Sequence, residues 1–368
     1  MKSYVISKYA GTGTAGFNGQ NGSKTPGSFS SAETGELYAP RGIAVDANGN
    51  LYIADERNGA VRKVVNNGGV TTMSTITGIG IENGYTPSDN KGPAYGKGMY
   101  EPMDVTVCAF GNVLFLDTDN HIVRMIDRDG NLKTIAGVLE IGSPGSYSDG
   151  GGIALQARFN SPQGIAVDTS GNIYVSDTNN NIIRKITRDG TIATIAGRPQ
   201  IGGYSGDGGP AISATLNKPM GLAFDSQGNL YIADTYNNRI RKVDMATGKI
   251  ATVAGNGNFP ANSTTAEGIG DNKPALQASL YFPHDVAVDA ASNIYIADTI
   301  NNRIRKVFSS TNTIMTIAGD GYAGNIGNGG TGSFARLNAP KGVTVDENGV
   351  VYISDTGNNS IRVLAPKN

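Results

Sequence analysis

One segment recurs six times along this chain, and this repetition constrains the fold more than any other feature. The copy at 218–243 reads KPMGLAFDSQGNLYIADTYNNRIRKV. The repeat units start near positions 40, 102, 162, 219, 283 and 340. A fixed period of tens of residues is typical of stacked units that cannot bury a hydrophobic face alone. The repeat therefore predicts a single domain over residues 1–368.

Each unit contains four strand signals separated by turn residues. In the fourth unit these are GLAFD, NLYIAD, RIRKV and IATVAG, and DSQGN forms an Asp/Gly/Asn hairpin turn between the first two. Both faces of NLYIAD are apolar or small, which is typical of a sheet packed between two neighbours. Such four-stranded sheets around an axis are the blades of a propeller. We predict an all-β fold, a six-bladed β-propeller with four-stranded antiparallel blades.

The two ends of the chain complement each other. The last unit, VVYISDTGNNSIRVLAPKN, supplies three strand signals, and SYVISKYAG near the N-terminus matches the missing fourth. Closure of the ring removes sheet edges that would otherwise be exposed. We therefore expect residues 1–11 to complete the final blade.

The shared pattern of the units resembles the NHL repeat along essentially the whole chain. In it P-x-G opens the first strand, D-x-x-G-N forms a turn, and Y-I-A-D-T-x-N-N-x-I-R-K-V follows. The segment YSGDGGPAISATLNKP is similar to long inter-blade loops of bacterial NHL proteins and of teneurin-type extracellular propellers. The resemblance implies a six-bladed propeller and an extracellular or cell-envelope location.

Composition argues against several classes of partner. The formal net charge is -1, and most Lys and Arg residues fall in the repeated RKV strand, so we expect no nucleic-acid partner. No apolar run approaches the roughly 20 residues of a membrane span, so we expect no membrane insertion. The single cysteine, Cys108, cannot form an internal disulfide and is interpreted as a buried, inert thiol.

An Asp closes the second strand of every unit, and an Arg follows it seven residues later. The pairs are Asp55–Arg62, Asp117–Arg124, Asp177–Arg184, Asp234–Arg241, Asp298–Arg305 and Asp355–Arg362. A short hairpin places the two side chains on adjacent strands, where a carboxylate can accept hydrogen bonds from a guanidinium. We interpret them as six structural latches, and six ion sites are the alternative.

The long loops between units share an acidic or amide residue among glycines. These residues are Asp89, Asp149, Asp207, Asp271 and Asn328. Such clusters can bind calcium, but none has the spacing of a known calcium loop, so we interpret them as turns. We expect the loops to share one face with the TxNN turns. Tyrosines in these loops are candidate ligand contacts, or they pack the loops onto the blades: Tyr85, Tyr95, Tyr100, Tyr147, Tyr204 and Tyr281.

The inner strands break the repeat at two opposite units. Four units carry Gly near the strand start, whereas units two and five carry Asp104 and Asp285. The preceding residues form a mixed ring of Arg41, Met103, Gln163, Met220, His284 and Lys341. We therefore predict a binding site at the channel mouth, formed by Arg41, Asp104, Gln163, His284, Asp285 and Lys341. In the alternative, the two Asp residues only bond neighbouring backbone amides or channel water.

Only two histidines are present, which limits the enzymatic alternatives. Resemblance to the amidating lyases would imply several zinc-binding histidines, but only His121 and His284 exist, and His121 falls in an expected surface turn. Resemblance to gluconolactonases would imply Glu, Asn and Asp around a divalent cation, and no inner strand carries the Glu. We expect no cofactor, with a divalent cation in the channel or loops as the alternative.

The leading functional hypothesis is a non-catalytic interaction module. The long-loop face would bind a protein, peptide or glycan, since variable loops on a rigid scaffold usually carry function. The first alternative is a self-assembling subunit of an extracellular filament or surface layer. The second is a metal-dependent, lactonase-like hydrolase at the channel mouth.

Overall fold

The chain folds into six antiparallel sheets around a central channel. The computed structural model describes residues 4–17, 30–78, 91–139, 147–259 and 268–367. Inner strands of consecutive sheets contact one another, and the sixth contacts the first. We number these sheets blades 1 to 6 in chain order. The prediction of an all-β, six-bladed propeller with four-stranded blades is confirmed.

Each blade runs from an inner strand beside the channel to an outer strand at the edge of the disk. The inner strands are Pro40–Val45, Pro102–Val107, Gly164–Val167, Pro219–Phe224, Pro283–Val288 and Gly342–Val345. The second strands are Leu51–Asp55, Val113–Asp117, Ile173–Asp177, Leu230–Asp234, Ile294–Asp298 and Val351–Asp355. The third strands are Ala60–Asn67, Ile122–Ile126, Ile182–Ile186, Arg239–Asp244, Arg303–Val307 and Ser360–Pro366. The outer strands are Val70–Gly78, Asn131–Ala136, Ile192–Ala196, Lys249–Ala254, Ile314–Ala318 and, for blade 6, Tyr4–Ala10.

Short 3₁₀ turns connect the strands and interrupt the loops. Those after a second strand are Glu56–Asn58, Thr118–Asn120, Thr178–Asn180, Thr235–Asn237 and Thr356–Asn358. Those in the inter-blade loops are Ala32–Thr34, Gly150–Gly152, Ala154–Gln156, Ala211–Ser213, Ala275–Gln277 and Gly332–Phe334. Within the described part of the chain, no helix has the length and apolar character needed to cross a bilayer.

The N-terminal strand closes the ring. Tyr4–Ala10 pairs antiparallel with Ser360–Pro366, and Ile6 lies opposite Leu364 in the register. Both of these apolar side chains are fully buried. The expectation that the N-terminal segment completes the last blade is thereby confirmed.

The hydrophobic core lies between the blades. In the second strand of blade 1, Leu51 and Ile53 pack with Tyr352 of blade 6. The alternate residue Tyr52 packs with Phe115 of blade 2. Side chains of a strand alternate between its two faces, so each blade is apolar on both sides and depends on its neighbours for burial.

The long inter-blade loops cover the outer edges of the blades. In each loop, a described segment pairs with the outer strand of the following blade or with the turn before it. Ala211 donates a backbone hydrogen bond of 2.8 Å to Gly248, and Ala275 donates one of 2.8 Å to Asn312. In blade 1 the loop strand Ser30–Ser31 pairs with the outer strand in the same way. The described segments of these loops therefore cover sheet edges that would otherwise be exposed.

Candidate functional site

The latch carboxylates join the second strand, the turn and the incoming loop. In blade 4, Asp234 accepts hydrogen bonds from the Asn217 backbone N–H at 2.8 Å and from Asn237 Nδ2 at 2.8 Å. Arg241 Nη1 lies 3.1 Å from the same carboxylate. Burial raises the pKa of Asp234 to about 6, while these hydrogen bonds and the arginine lower it. The carboxylate thereby satisfies three donors from three segments.

The same arrangement occurs in every blade. The Arg to Asp distances are 3.0 to 3.6 Å, and all twelve side chains are fully buried. Each arginine also donates to backbone carbonyls of the incoming loop, as Arg124 does to Gly98 at 3.0 Å. The six pairs therefore hold loops on strands, and their geometry is that of structural latches.

Two loop carboxylates are bound to latch arginines. Asp207 lies 2.6 Å from Arg241 Nη2, and Asp271 lies 2.6 Å from Arg305 Nη2. Asp149 accepts from the backbone N–H of Gly151 at 3.0 Å. Asn328 is exposed, and Asp89 lies outside the described residues. Among the residues that the structure describes, no group of three or more His, Cys, Asp or Glu side chains is placed to hold a metal ion.

Two of the candidate tyrosines stack on latch arginines. The ring of Tyr204 lies 4.9 Å from the Arg241 guanidinium, and the ring of Tyr147 lies 5.3 Å from that of Arg184. Tyr204 also donates to Asp207 at 2.8 Å and remains 44% exposed. Tyr95 is half-buried, and Tyr85 lies outside the described residues. Tyr147 and Tyr204 thus pack loops onto blades.

Two further hydrogen bonds join most blades to the next one at the loop face. Thr235 Oγ1 donates to the Pro283 carbonyl at 2.8 Å, and Asn238 Oδ1 accepts from the Phe282 backbone N–H at 2.8 Å. The residue before the inner-strand Pro has φ of 46–52° in all six units, a conformation that is unfavourable for side chains other than Gly. The accepting side chain helps to hold that strained backbone.

His121 accepts the equivalent hydrogen bond between blades 2 and 3. His121 Nδ1 accepts from the Ser161 backbone N–H at 3.2 Å, in the position that Asn occupies in blades 3 to 6. The side chain is only 7% exposed. The expectation that His121 lies in a surface turn is wrong, because the loop entering blade 3 covers it.

The junction between blades 1 and 2 differs from the other five. Glu56 replaces the Thr, and Gly59 replaces the Asn or His. Glu56 accepts two hydrogen bonds from Arg41, one of them 3.1 Å long, and Arg57 lies 3.3 Å from Glu101. A charged cluster therefore stands where the other junctions use neutral hydrogen bonds. Arg41 was predicted from the sequence as a site residue, but Glu56, Arg57 and Glu101 were not, although ERNG departs from the TxNN pattern of the other units.

The opposite junction, between blades 4 and 5, carries an aromatic patch formed by Tyr236, Phe259, Tyr281 and Phe282. The Tyr236 and Phe282 rings are 4.7 Å apart, and the Phe259 and Tyr281 rings are 5.2 Å apart. Tyr281 also contacts Phe282, with 5.6 Å between ring centres. Tyr236 is 45% exposed and Phe259 is 60% exposed. Sequence reasoning found only Tyr281 as a loop tyrosine, because the four rings come from separate parts of the chain.

The channel mouth lies between these two junctions. Arg41, Gln163, His284 and Lys341 line a cavity of about 20 Å³ together with Met103, Met220, Asp104 and Asp285. A wider cavity of about 250 Å³ follows along the channel, lined by the inner strands and by the same two aspartates. The mouth residues predicted from the sequence therefore meet at one constriction.

The two unusual aspartates tie neighbouring inner strands together. Asp104 accepts from the backbone N–H groups of Val105 and Ile165, both at 2.8 Å. Asp285 does the same for Val286 at 2.8 Å and Val343 at 2.9 Å. Both oxygens of each carboxylate thus accept hydrogen bonds from the backbone, one of them across a blade boundary.

Glycine is required beside each of these aspartates. A Cβ on Gly42 would lie 1.9 Å from Asp104 Oδ1, and a Cβ on Gly221 would lie 2.1 Å from Asp285 Oδ1. Such contacts are far below van der Waals distance. The Gly in the blade that precedes each Asp therefore follows from packing between adjacent inner strands.

Burial and like charges shift the titration of the mouth residues. Burial, and then the charge of Asp285, raises the pKa of Asp104 well above its usual range, and burial raises the pKa of Asp285 to about 7. Burial, and then Lys341 and Arg41, lowers the pKa of His284 well below its usual value. Burial, and then Arg41, lowers the pKa of Lys341 to about 8. The environment at the mouth therefore disfavours the charged forms of these four side chains.

Comparison with known protein families identifies the propeller. The teneurin NHL domain family matches residues 5–137, 142–203 and 198–266. The NHL repeat family matches residues 280–307 and 337–364. The chain belongs to the teneurin NHL domain family and is built from NHL repeats, as its sequence pattern suggested.

Two curated relatives are much longer proteins. Teneurin-1 of Gallus gallus is 33% identical over 227 residues, covering 58% of this chain and 8% of that protein. The chloroplastic protein SUPPRESSOR OF QUENCHING 1 of Arabidopsis thaliana is 27% identical over 341 residues, covering 90% of this chain and 30% of that protein. The chain thus spans less than a third of either relative. Both of these relatives are eukaryotic proteins.

Solved structures share the fold at low sequence identity. A protein of unknown function from Bacteroides thetaiotaomicron has a TM-score of 0.68 and 15% identity, covering 100% of this chain and 77% of that one. A gluconolactonase from Xanthomonas campestris has a TM-score of 0.53 and 14% identity, covering 90% of this chain and 87% of that one. At these identities the similarity establishes the propeller architecture only.

Proposed function

We propose that this propeller is a non-catalytic interaction module that binds a protein, peptide or glycan through its loop face. The aromatic patch carries the proposal. Two of its rings, those of Tyr236 and Phe259, are about half exposed or more at the junction between blades 4 and 5. Exposed aromatic clusters are enriched at binding surfaces, because they offer large contact area at a small entropic cost.

The arrangement around the mouth supports the same proposal. The aromatic patch and the charged cluster lie at opposite junctions of the ring, with the mouth between them. A ligand that crosses the mouth would therefore meet an apolar region on one side and a charged region on the other. This asymmetry provides a basis for orientation and specificity.

The latches and aspartates favour binding over catalysis. The carboxylates of the six buried ion pairs and the two inter-blade carboxylates all accept hydrogen bonds from the scaffold. Both oxygens of Asp104 and of Asp285 already accept backbone hydrogen bonds, so neither carboxylate is poised as a free base. Interaction modules of this kind use a rigid framework to present a variable surface.

The proposal extends to location. We place the module outside the cell or in the cell envelope, on the basis of its relation to the teneurin domain. The assignment is tested by locating the endogenous protein after cell fractionation, and recovery in the cytosol alone would contradict it.

Replacement of the exposed rings tests the function. Tyr236→Ser together with Phe259→Ser removes the two most exposed rings of the patch, and Phe334→Ser removes a 78% exposed ring from a loop turn at the edge of blade 6. Ligands found by peptide and glycan arrays with the wild-type chain should lose at least tenfold in affinity for the double variant and none for the control. Equal binding by all three proteins would refute the loop-face assignment.

Two measurements decide between the proposal and its alternatives. Light scattering over a wide concentration range tests self-assembly, which predicts a mass that grows from 38.1 kDa as concentration rises. A lactone hydrolysis assay with added divalent cations tests the lactonase alternative. We expect constant mass and no cation-dependent rate.

A further inference from the structure

The channel mouth is divided into a basic half and a neutral half. His284, Lys341 and Arg41 come from the consecutive blades 5, 6 and 1, and they line one cavity. Met103, Gln163 and Met220, from blades 2 to 4, complete the ring, and Asp104 and Asp285 also line this cavity. Three basic side chains thus converge on one narrow space at the constriction.

The basic half is incompletely neutralised. Arg41 is paired with Glu56 through Nε and Nη2. Among the described residues, neither the Lys341 ammonium nor the His284 imidazole has a side-chain hydrogen bond. A partly buried ammonium without an acceptor is unfavourable, and an anion in this space would supply one. The lowered pKa values of both groups are consistent with that missing partner.

The other charges around the mouth leave this position open. Arg41 and Arg57 oppose the charge on Lys341, whereas Glu56 and Glu101 favour it. Those two carboxylates are already paired with Arg41 and Arg57. The aspartates beneath the mouth accept backbone N–H groups through both oxygens.

We propose that the mouth binds the carboxylate of an acidic peptide side chain, held by the Lys341 ammonium and the His284 imidazole. The inference rests on the proposed function, because the acidic residue belongs to the ligand of the loop face. The narrow cavity admits a single slender group, and Phe282 of the aromatic patch lies two residues from His284, so an apolar neighbour of the acidic residue can contact the patch. The flanking methionines can adjust to the entering chain.

Nuclear magnetic resonance of the two histidines tests the site in the full chain. His284 reports on the mouth, and His121, which is buried between blades 2 and 3, is the internal control. Sodium acetate and a blocked glutamate peptide, N-acetyl-glutamate amide, should shift the His284 ring signals saturably and raise the pKa of His284. Acetamide and N-acetyl-glutamine amide should not. Equal shifts from the charged and neutral probes, or equal shifts of both histidines, would overturn the proposal.

A lysine variant provides the second measurement. Lys341→Gln should weaken binding of the glutamate peptide by about tenfold, since it removes a charge-assisted hydrogen bond. Wild-type affinity should fall as the pH rises through about 8, where Lys341 loses its charge. Circular dichroism establishes that the variant is folded. Unchanged affinity in a folded Lys341→Gln chain would sink the assignment.

Further probes distinguish a peptide carboxylate from a sugar carboxylate. They also distinguish the mouth proposal from the loop-face proposal. The peptide assignment would be overturned if methyl glucuronide bound more tightly than the glutamate peptide. It would also be overturned if acetate bound and the peptide did not. Array ligands that bind Lys341→Gln and wild type equally, yet fail on the aromatic double variant, would refute the mouth proposal alone. If both proposals hold, the array ligands should bind more weakly to each of the two variants than to the wild type.

Discussion

The carboxylate of Asp104 in blade 2 accepts a 2.8 Å hydrogen bond from the backbone N–H of Ile165 in blade 3. Three blades further around the ring, Asp285 in blade 5 makes the equivalent contact with Val343 in blade 6. The mouth therefore contains two acidic ties between blades, at positions where the other units carry Gly. Buried carboxylates of this kind connect the stability of the ring to pH.

The first prediction concerns that pH dependence. Burial raises the pKa of Asp285 to about 7, whereas an unfolded Asp has a pKa near 4, so the folded chain retains a proton that the unfolded chain releases. Stabilisation from this group is full below about pH 4 and is lost as the pH rises through about 7. The stability of the wild type relative to Asp285→Asn should fall by a few kcal/mol across that range. Urea unfolding at a series of pH values measures the difference.

The matched control for this experiment is Asp129→Asn. Asp129 is an exposed residue in a turn of blade 2. Its substitution should leave the pH profile parallel to that of the wild type. A difference between wild type and Asp285→Asn that stays constant with pH would show that Asp285 is ionised in the folded chain throughout.

The second prediction uses the irregular junction between blades 1 and 2. Gly59 has φ 51° and ψ 46°, and Asn238, at the equivalent position of blade 4, has φ 53° and ψ 44°. Gly59→Asn should therefore fit its backbone and accept a hydrogen bond from the Glu101 N–H. We expect the free energy of unfolding to rise by about 0.5–1 kcal/mol. Chemical denaturation gives this value.

The control for the second prediction separates the hydrogen bond from backbone entropy. Gly228 also has positive φ, at 81°, and an added Cβ there would contact nothing within 4 Å. Gly228→Asn reduces the freedom of the unfolded chain but gains no bond between blades. An equal effect of both substitutions would contradict a stabilising role for the inter-blade hydrogen bond.

The repeat made the blades predictable because every unit repeats the same local pattern. The Asp–Arg pairs were predictable as well, since seven residues across a hairpin place Asp234 beside Arg241. Burial of His121 was not predictable, because a loop of the next blade covers it. The aromatic patch was missed for the same physical reason: Tyr236 and Phe282 meet across a blade boundary, and no local spacing specifies that contact.

The third prediction concerns the latches. Arg241→Ala would leave Asp234 buried without its cation and would remove the cationic partner of Asp207, so we expect a loss of about 3–5 kcal/mol. Lys242→Ala is the control, since Lys242 is partly exposed and pairs with Asp225 at 3.2 Å. That substitution should cost about 1 kcal/mol or less. Similar losses at the two positions would show that the fully buried pair contributes no more than a pair with a partly exposed lysine.

The last prediction tests ring closure by comparing two equivalent isoleucines. Ile6, in the N-terminal strand, lies opposite Leu364, and Ile250, in the outer strand of blade 4, lies opposite Val243. Both isoleucine side chains are fully buried. Truncating either to Ala should therefore cost about 2–5 kcal/mol, through lost apolar burial and the cavity left behind. Denaturant unfolding of the two variants should give losses that agree within about 1 kcal/mol, because a closed ring makes blade 6 as cooperative as blade 4. A much smaller loss for Ile6→Ala would mean that the N-terminal strand detaches before the rest of the ring unfolds.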